Sequence, residues 1–125
     1  MKICVYGAGA IGGYVATRLY ISGFNVSLIA RGQNLEKIKK NGLTVVYKDF
    51  RETASLKVSS EPPTEKQDFV FIATKTTSLI DICPNIKKLS SKGSTIIPLM
   101  NGIPHWYFYG IDSKWKNTDI KSLDP

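Results

Sequence analysis

Apolar and polar positions along this 125-residue chain fall into blocks that predict strands alternating with helices. Four apolar runs predict the strands of a sheet, at residues 2–6, 25–30, 69–73 and 94–99. Helical periodicity predicts three helices between them, at residues 10–22, 34–41 and 77–90. Residues 43–47 and 50–58 predict a β-hairpin that turns at Lys48-Asp49. This order is typical of a doubly wound α/β fold with a mostly parallel sheet.

The pattern also makes predictions within single elements. The run at 69–73 is uninterrupted, as expected of a central parallel strand that is buried on both faces. Pro84 lies inside the third helix and predicts a bend or a restart there. The first helix carries an apolar face formed by Ile11, Val15, Ala16 and Leu19.

Length and composition favour one soluble domain, spanning residues 1–125. No apolar run is long enough for a membrane span, and the N-terminus lacks the pattern of a signal peptide. Cys4 and Cys83 have no spacing typical of disulfides or metal sites. We therefore expect two core or near-core thiols, no bound metal, no membrane partner and a cytoplasmic location.

The formal net charge of +7 raises the possibility of a nucleic-acid partner. The basic residues are scattered, however, and form no stripe interleaved with aromatic residues. We therefore expect no nucleic-acid partner, and mostly solvated lysines whose field attracts a polyanionic cofactor.

A glycine motif separates the first strand from the first helix. Residues 7–12 read Gly-Ala-Gly-Ala-Ile-Gly, and a G-x-G-x-x-G run between a strand and a helix is typical of dinucleotide sites. Gly7 permits the turn, Gly9 lets the backbone approach a pyrophosphate, and Gly12 lets helix and strand pack closely. The first amides of the helix, which include those of Ala10 and Ile11, then hold the anion. The alternative is a glycine-rich turn that binds nothing.

Arg31 follows the second strand, at the place where NAD-binding and FAD-binding domains usually carry an acidic residue. An arginine there suits the 2′-phosphate of NADP, which a guanidinium can bind through two parallel hydrogen bonds. A solvated arginine at a strand end is the alternative.

Two other polar residues follow predicted strands, where ligands of such folds bind. Lys75 is placed to contact a ribose, a phosphate or a substrate carboxylate, or else to carry the chain into water. Asn101 begins an Asn-Gly turn signal, and its amide can also bond a cofactor or a hydroxylated substrate. His105 is the only histidine, but it stands beside four aromatic residues, so packing is favoured over catalysis.

Together these segments resemble the N-terminal domain of the ketopantoate reductase (2-dehydropantoate 2-reductase) family. The resemblance covers the whole chain. It rests on residues 2–13, Ala30-Arg31-Gly32, Ala73-Thr74-Lys75 and 98–104, and on residues 106–110 and 122–125, which match one branch of the family.

The resemblance implies a Rossmann-like NADP-binding domain and an enzyme that reduces a 2-keto acid with hydride from NADPH, giving pantoate for pantothenate biosynthesis. It implies cofactor binding by Gly7, Ala8, Gly9, Ala10, Ile11, Gly12, Arg31, Lys75 and Asn101, with Asn101 also reaching the substrate. His105 stands where related sequences commonly carry Trp, a departure from the family pattern.

Members of this family continue into a second, helical domain that supplies the catalytic lysine and a partner glutamate. We therefore expect a truncated chain without catalytic residues, inactive alone, whose sheet lacks its last strands. Without the second domain, the aromatic segment at 106–109 would be exposed and could favour self-association. The alternatives are a non-catalytic module that binds NADP(H) or a partner, and a remnant without function.

Overall fold

The computed structural model describes residues 1–101 and 107–118. Seven strands and three α-helices are present in this part of the chain, and a short 3₁₀ turn at Thr76–Ser78 precedes the last helix. In chain order the elements are β1 (Lys2–Tyr6), α1 (Ala10–Ile21), β2 (Asn25–Ile29), α2 (Gly32–Asn41), β3 (Leu43–Tyr47), β4 (Phe50–Ala54), β5 (Lys57–Ser59), β6 (Phe69–Ile72), α3 (Leu79–Leu89) and β7 (Thr95–Pro98).

Five of the strands form a parallel sheet in the order β5-β2-β1-β6-β7. This order reproduces the first five of the six strands of a dinucleotide-binding sheet, so the Rossmann-like prediction is confirmed. The apolar run at 69–73 forms β6, which lies between β1 and β7 as a central strand. The strands β3 and β4 pair with each other in a separate antiparallel hairpin.

The central strand β1 is buried on both faces, because its successive side chains point to opposite sides and helices pack against each side. Ile3 and Val5 of β1 pack in a cluster with residues of α1 and α2. Cys4 and Tyr6 belong to the cluster on the other face, which includes Ile82 of α3. Among the described residues, none of the helices has the length and apolar character that a bilayer span requires.

The predicted strand at 50–58 is wrong, because these residues form two strands in two different sheets. The strand β4 ends at Ala54, and β5 pairs in parallel with β2 at the edge of the main sheet. Ala54 and Leu56 are both buried in the core, whereas Ser55 between them is exposed, so alternate side chains of this connection pack inward. The predicted hairpin itself is confirmed, because β3 pairs in antiparallel with β4, but its second strand is shorter than predicted.

The prediction of a restart at Pro84 is also wrong. The helix α3 continues through Pro84, and the irregular turn lies before the helix, at Thr76–Ser78. Pro84 is exposed, so the hydrogen bond that it removes falls on the solvent side of the helix, where water can replace it.

The two thiols differ in environment, which corrects one sequence expectation. Cys4 is fully buried, but Cys83 lies on the exposed face of α3. Burial raises the pKa of the Cys4 thiol to about 12, because the apolar core disfavours the thiolate.

The buried thiol predicts a loss of stability in alkaline solution. The thiol of the unfolded chain ionises near its ordinary pKa of 9.0, whereas the folded thiol stays neutral until about pH 12. The contribution of the neutral Cys4 thiol to the free energy of unfolding is therefore fully present below pH 9. It is lost as the pH rises toward 12, at up to about 1.4 kcal/mol per pH unit. Urea unfolding at successive pH values measures this slope.

Two variants isolate the contribution of Cys4 from that of other groups that titrate in the same range. Cys4→Ala should flatten the decline above pH 9, whereas Cys83→Ala should leave it as in the parent protein. Equal slopes for Cys4→Ala and the parent would contradict the buried, neutral thiol.

Candidate functional site

The glycine loop connects β1 to α1 at the carboxyl edge of the sheet. Gly7 has a φ of +109°, which favours glycine, and its N–H donates to the Ile29 carbonyl of β2 at 3.0 Å. A Cβ on Gly7 would stand 2.8 Å from the Ala73 carbonyl oxygen. The loop therefore lies tightly between the ends of β2 and β6.

Gly12 holds the first turn of α1 against this loop. A Cβ at this position would overlap the Gly7 carbonyl oxygen and would approach the Ala73 Cβ to 2.8 Å. The contact requires glycine at position 12, because the Gly7 carbonyl cannot rotate away within a loop that is packed this closely.

Gly9 differs from these two glycines because the fold itself does not require it. Its φ of −77° and ψ of −172° suit any residue, and a Cβ there would meet nothing within 4 Å. The space beside Gly9 is therefore free for a ligand that approaches the backbone.

The start of α1 is suited to an anion. No side chain caps it and its first turn carries no acidic residue. The Gly13 N–H makes the first α-helical bond, to the Gly9 carbonyl at 2.8 Å, so the amides of Ala10, Ile11 and Gly12 have no partner within the helix. With the positive end of the helix dipole behind them, they can bind phosphate oxygens.

An open groove of about 380 Å³ lies in front of the loop. Three segments line it, from the glycine loop and from the ends of β6 and β7. The lining residues are Gly9, Ala10, Ile11, Ala73, Thr74, Lys75, Thr76, Leu99, Met100 and Asn101. The structure thus brings together five of the nine residues that the sequence proposed for cofactor binding.

The predicted apolar face of α1 is wrong at Ile11. Its side chain is 58% exposed and lines the groove, while Ala16 is buried against the sheet. Val15 and Leu19 are half-buried. Ile11 precedes Gly12, which faces the glycine loop and Ala73, and therefore points away from the core.

Lys75 and Asn101 lie on neighbouring loops of the groove. Both residues are exposed, and Lys75 is the charged member of the groove-lining set. Between them, the Thr76 hydroxyl donates to the Asn101 backbone carbonyl at 3.5 Å, which links the loops after β6 and β7. Thr76 was not among the residues predicted from the sequence, although its position just after a strand end was a usable signal.

Arg31 does not line this groove. It is exposed and precedes α2 at the end of β2, the strand next to β1. Within the described residues its guanidinium makes no ion pair or side-chain hydrogen bond. A cation at this edge is available to an anionic group that extends beyond the glycine loop.

His105 and Trp106 lie outside the described residues. Beyond them, Tyr107 and Tyr109 are 52% and 77% exposed, and Trp115 is 51% exposed. Residues 107–118 form a turn closed by the Asn117 N–H, which donates to the Phe108 carbonyl at 3.0 Å. The structure thus exposes Tyr107 and Tyr109 of the aromatic segment, whereas Phe108 is half-buried.

The sequence model of the family described as ketopantoate reductase PanE/ApbA matches residues 3–106. The chain belongs to this family. The match includes the glycine loop, Arg31, Lys75 and Asn101.

Relatives of the ketopantoate reductase family extend well beyond this chain. A 2-dehydropantoate 2-reductase of Mesorhizobium japonicum is 35% identical over 127 aligned residues, which cover 100% of this chain and 39% of that protein. The chain therefore spans less than half the length of that relative. A 2-dehydropantoate 2-reductase of Pyrococcus abyssi is 35% identical over 82% of this chain and 34% of its own length.

Solved structures similar to this chain are also longer than it. A candidate ketopantoate reductase of Ralstonia solanacearum superposes with a TM-score of 0.86 at 28% identity, covering 99% of this chain and 39% of its own. A D-mandelate dehydrogenase in complex with NADH and anilino(oxo)acetate has a TM-score of 0.75 at 31% identity, covering 84% of this chain and 35% of its own. The family fold is therefore shared by proteins of different substrates.

Proposed function

We propose that residues 1–125 form the NADPH-binding domain of a 2-dehydropantoate 2-reductase-like oxidoreductase. One observation carries the proposal: the open face of Gly9, the uncapped start of α1, Lys75 and Asn101 border a single groove. Family membership supports a dinucleotide as the occupant of that groove.

The glycine loop fits the pyrophosphate of such a cofactor. Gly7 and Gly12 are fixed by packing, whereas Gly9 leaves free space beside the backbone. The three first amides of α1 then supply donors for phosphate oxygens without competition from an acidic side chain. These residues hold the cofactor in the proposed complex.

Arg31 supports NADPH over NADH. Arg31 lies at the end of β2, the strand next to β1 and its glycine loop. Its guanidinium makes no ion pair among the described residues. A guanidinium pairs with a phosphate through two parallel hydrogen bonds, and it has no such partner in the two free hydroxyls of the NADH ribose.

Lys75 and Asn101 are the proposed contacts nearest the reacting end. The Lys75 ammonium can attract a phosphate or a carboxylate, and the Asn101 amide can donate to a carbonyl or accept from a hydroxyl. The bound cofactor would supply hydride to the carbonyl carbon of a 2-keto acid, giving a 2-hydroxy acid. We assign no catalytic residue within residues 1–125, because the resemblance implies that the catalytic lysine lies in a second domain.

Titration with both dinucleotides tests the proposal. Calorimetry should show that the protein binds NADPH more tightly than NADH, and that Arg31→Ala weakens NADPH about tenfold while NADH is unchanged. The loss reflects the charge-assisted bonds between the guanidinium and the 2′-phosphate.

Arg51→Ala provides a matched control for loss of positive charge. Arg51 is an exposed arginine on β4, and its removal should leave both affinities as in the parent. A second candidate is an NADH-dependent domain, favoured by the NADH bound to the related D-mandelate dehydrogenase. Equal parental affinities for NADH and NADPH would support that candidate and contradict the role of Arg31.

Two further assignments belong to this proposal. We place the protein in the cytoplasm, since both cysteines carry free thiols and a reducing compartment keeps them so. We take a small 2-keto acid as its substrate partner, and the exposed tyrosines of residues 107–118 as the surface through which copies could associate.

A further inference from the structure

The Thr74 hydroxyl stands out among the polar groups at the groove. Thr74 lines the groove between Ala73 and Lys75, yet its Oγ1 is buried and has no hydrogen-bond partner among the described residues. Burying a hydroxyl without a partner destabilises a fold, so native structures rarely keep one without a reason.

The methyl group of Thr74 lies beside the glycine loop. Its Cγ2 is 3.2 Å from the position that a Cβ on Gly7 would take. Both Oγ1 and Cγ2 are attached to the same carbon, so a change between staggered χ1 rotamers carries the hydroxyl to the place of the methyl. In that rotamer the hydroxyl faces Gly7 of the glycine loop.

We propose that Thr74 is a further dinucleotide-contact residue, whose hydroxyl turns to the glycine loop and donates to a pyrophosphate oxygen of the bound cofactor. A charged phosphate oxygen is a stronger acceptor than a neutral one, and it supplies the partner that the hydroxyl lacks among the described residues. The inference rests on the proposed function, because it needs a dinucleotide in the groove.

This contact differs from that of Arg31 in what it recognises. The pyrophosphate is common to NADH and NADPH, whereas the 2′-phosphate occurs only in NADPH. Thr74 therefore contributes to the affinity for both cofactors equally.

Thr74→Val tests the contact because valine keeps the shape of threonine and removes only the hydroxyl. Calorimetric titration of the variant with NADPH and with NADH should give Kd values about fivefold higher than those of the parent for both. The thermal midpoint of the free variant should rise by about 3 °C, since the unpartnered hydroxyl is gone.

Thr17→Val is the matched control. Thr17 lies on α1, is fully buried, and carries the other hydroxyl without a partner in the described part of the chain. It does not line the groove, so its variant should gain thermal stability while both Kd values stay unchanged. Thr74→Ser, which keeps the hydroxyl, should retain the parental affinities.

Each other outcome overturns the inference in a recognisable way. Parental affinities in Thr74→Val would remove the contact while leaving the proposed function in place. A loss confined to NADPH would exclude the pyrophosphate as the partner. A Thr74→Val protein that unfolds would show that the hydroxyl is bonded within the fold. A parent protein that binds neither dinucleotide would overturn the proposed function as well.

Discussion

Replacing Gly12 with alanine should lower the free energy of unfolding by about 3 kcal/mol, a large part of what a domain of this size possesses. The added Cβ overlaps the Gly7 carbonyl oxygen and presses on the Ala73 Cβ at 2.8 Å. Neither neighbour is the end of a flexible side chain, so α1 must shift away from the sheet. Urea unfolding followed by circular dichroism measures the loss.

The adjacent glycine of the same helix serves as the control. A Cβ on Gly13 would meet only the Leu43 methyl groups, at 3.6 and 3.8 Å, which is ordinary contact. Gly13→Ala should therefore stabilise the protein by about 0.5–1 kcal/mol, because alanine favours a helix more than glycine. Similar effects of the two substitutions would show that α1 does not press on the loop as described.

Replacing Gly9 with alanine should leave the fold intact and weaken dinucleotide binding about a hundredfold, or about 2.7 kcal/mol. The backbone at Gly9 already has a conformation that alanine adopts, and the added methyl group meets no protein atom within 4 Å. It enters the space that a pyrophosphate needs. Calorimetry with NADPH measures the affinity, and the thermal midpoint reports on the fold.

Gly93→Ala is the corresponding control, since Gly93 also has open space around it but does not line the groove. It should change neither the affinity nor the midpoint appreciably. Should Gly9→Ala bind NADPH as tightly as the parent, the pyrophosphate does not lie over this loop.

The sequence was sufficient to predict the alternation of strands and helices and the ligand-facing edge of the sheet. A strand, a glycine motif and a helix follow one another in residues 2–21, and four of the five strands of the main sheet were predicted from their apolar runs. The ends of β6 and β7 then pointed to Lys75 and Asn101 as candidate ligand contacts, because ligands of such folds bind where the parallel strands end.

Other features depended on tertiary contacts that no local pattern contains. The strand β5 has only three residues and belongs to the main sheet because β2 pairs with it, which its sequence does not reveal. By its spacing, Ile11 belongs to an apolar face of α1. The close contact of Gly12 with the glycine loop nevertheless leaves the Ile11 side chain exposed. The sequence likewise does not reveal that Cys83 is exposed, since this depends on which face of α3 packs against the sheet.

The central place of β1 has a consequence for how the chain folds during synthesis. Among the strands of the main sheet, β1 is made first, but it pairs on one side with β6, where Ile3 lies opposite Phe69. Closing a parallel pairing across so much chain is slow and entropically costly. The edge of β1 that faces β6 must therefore stay unpaired until most of the domain has left the ribosome, even though β2 can pair with the other edge earlier. A chain without residues 2–6 would lack the middle strand of its sheet.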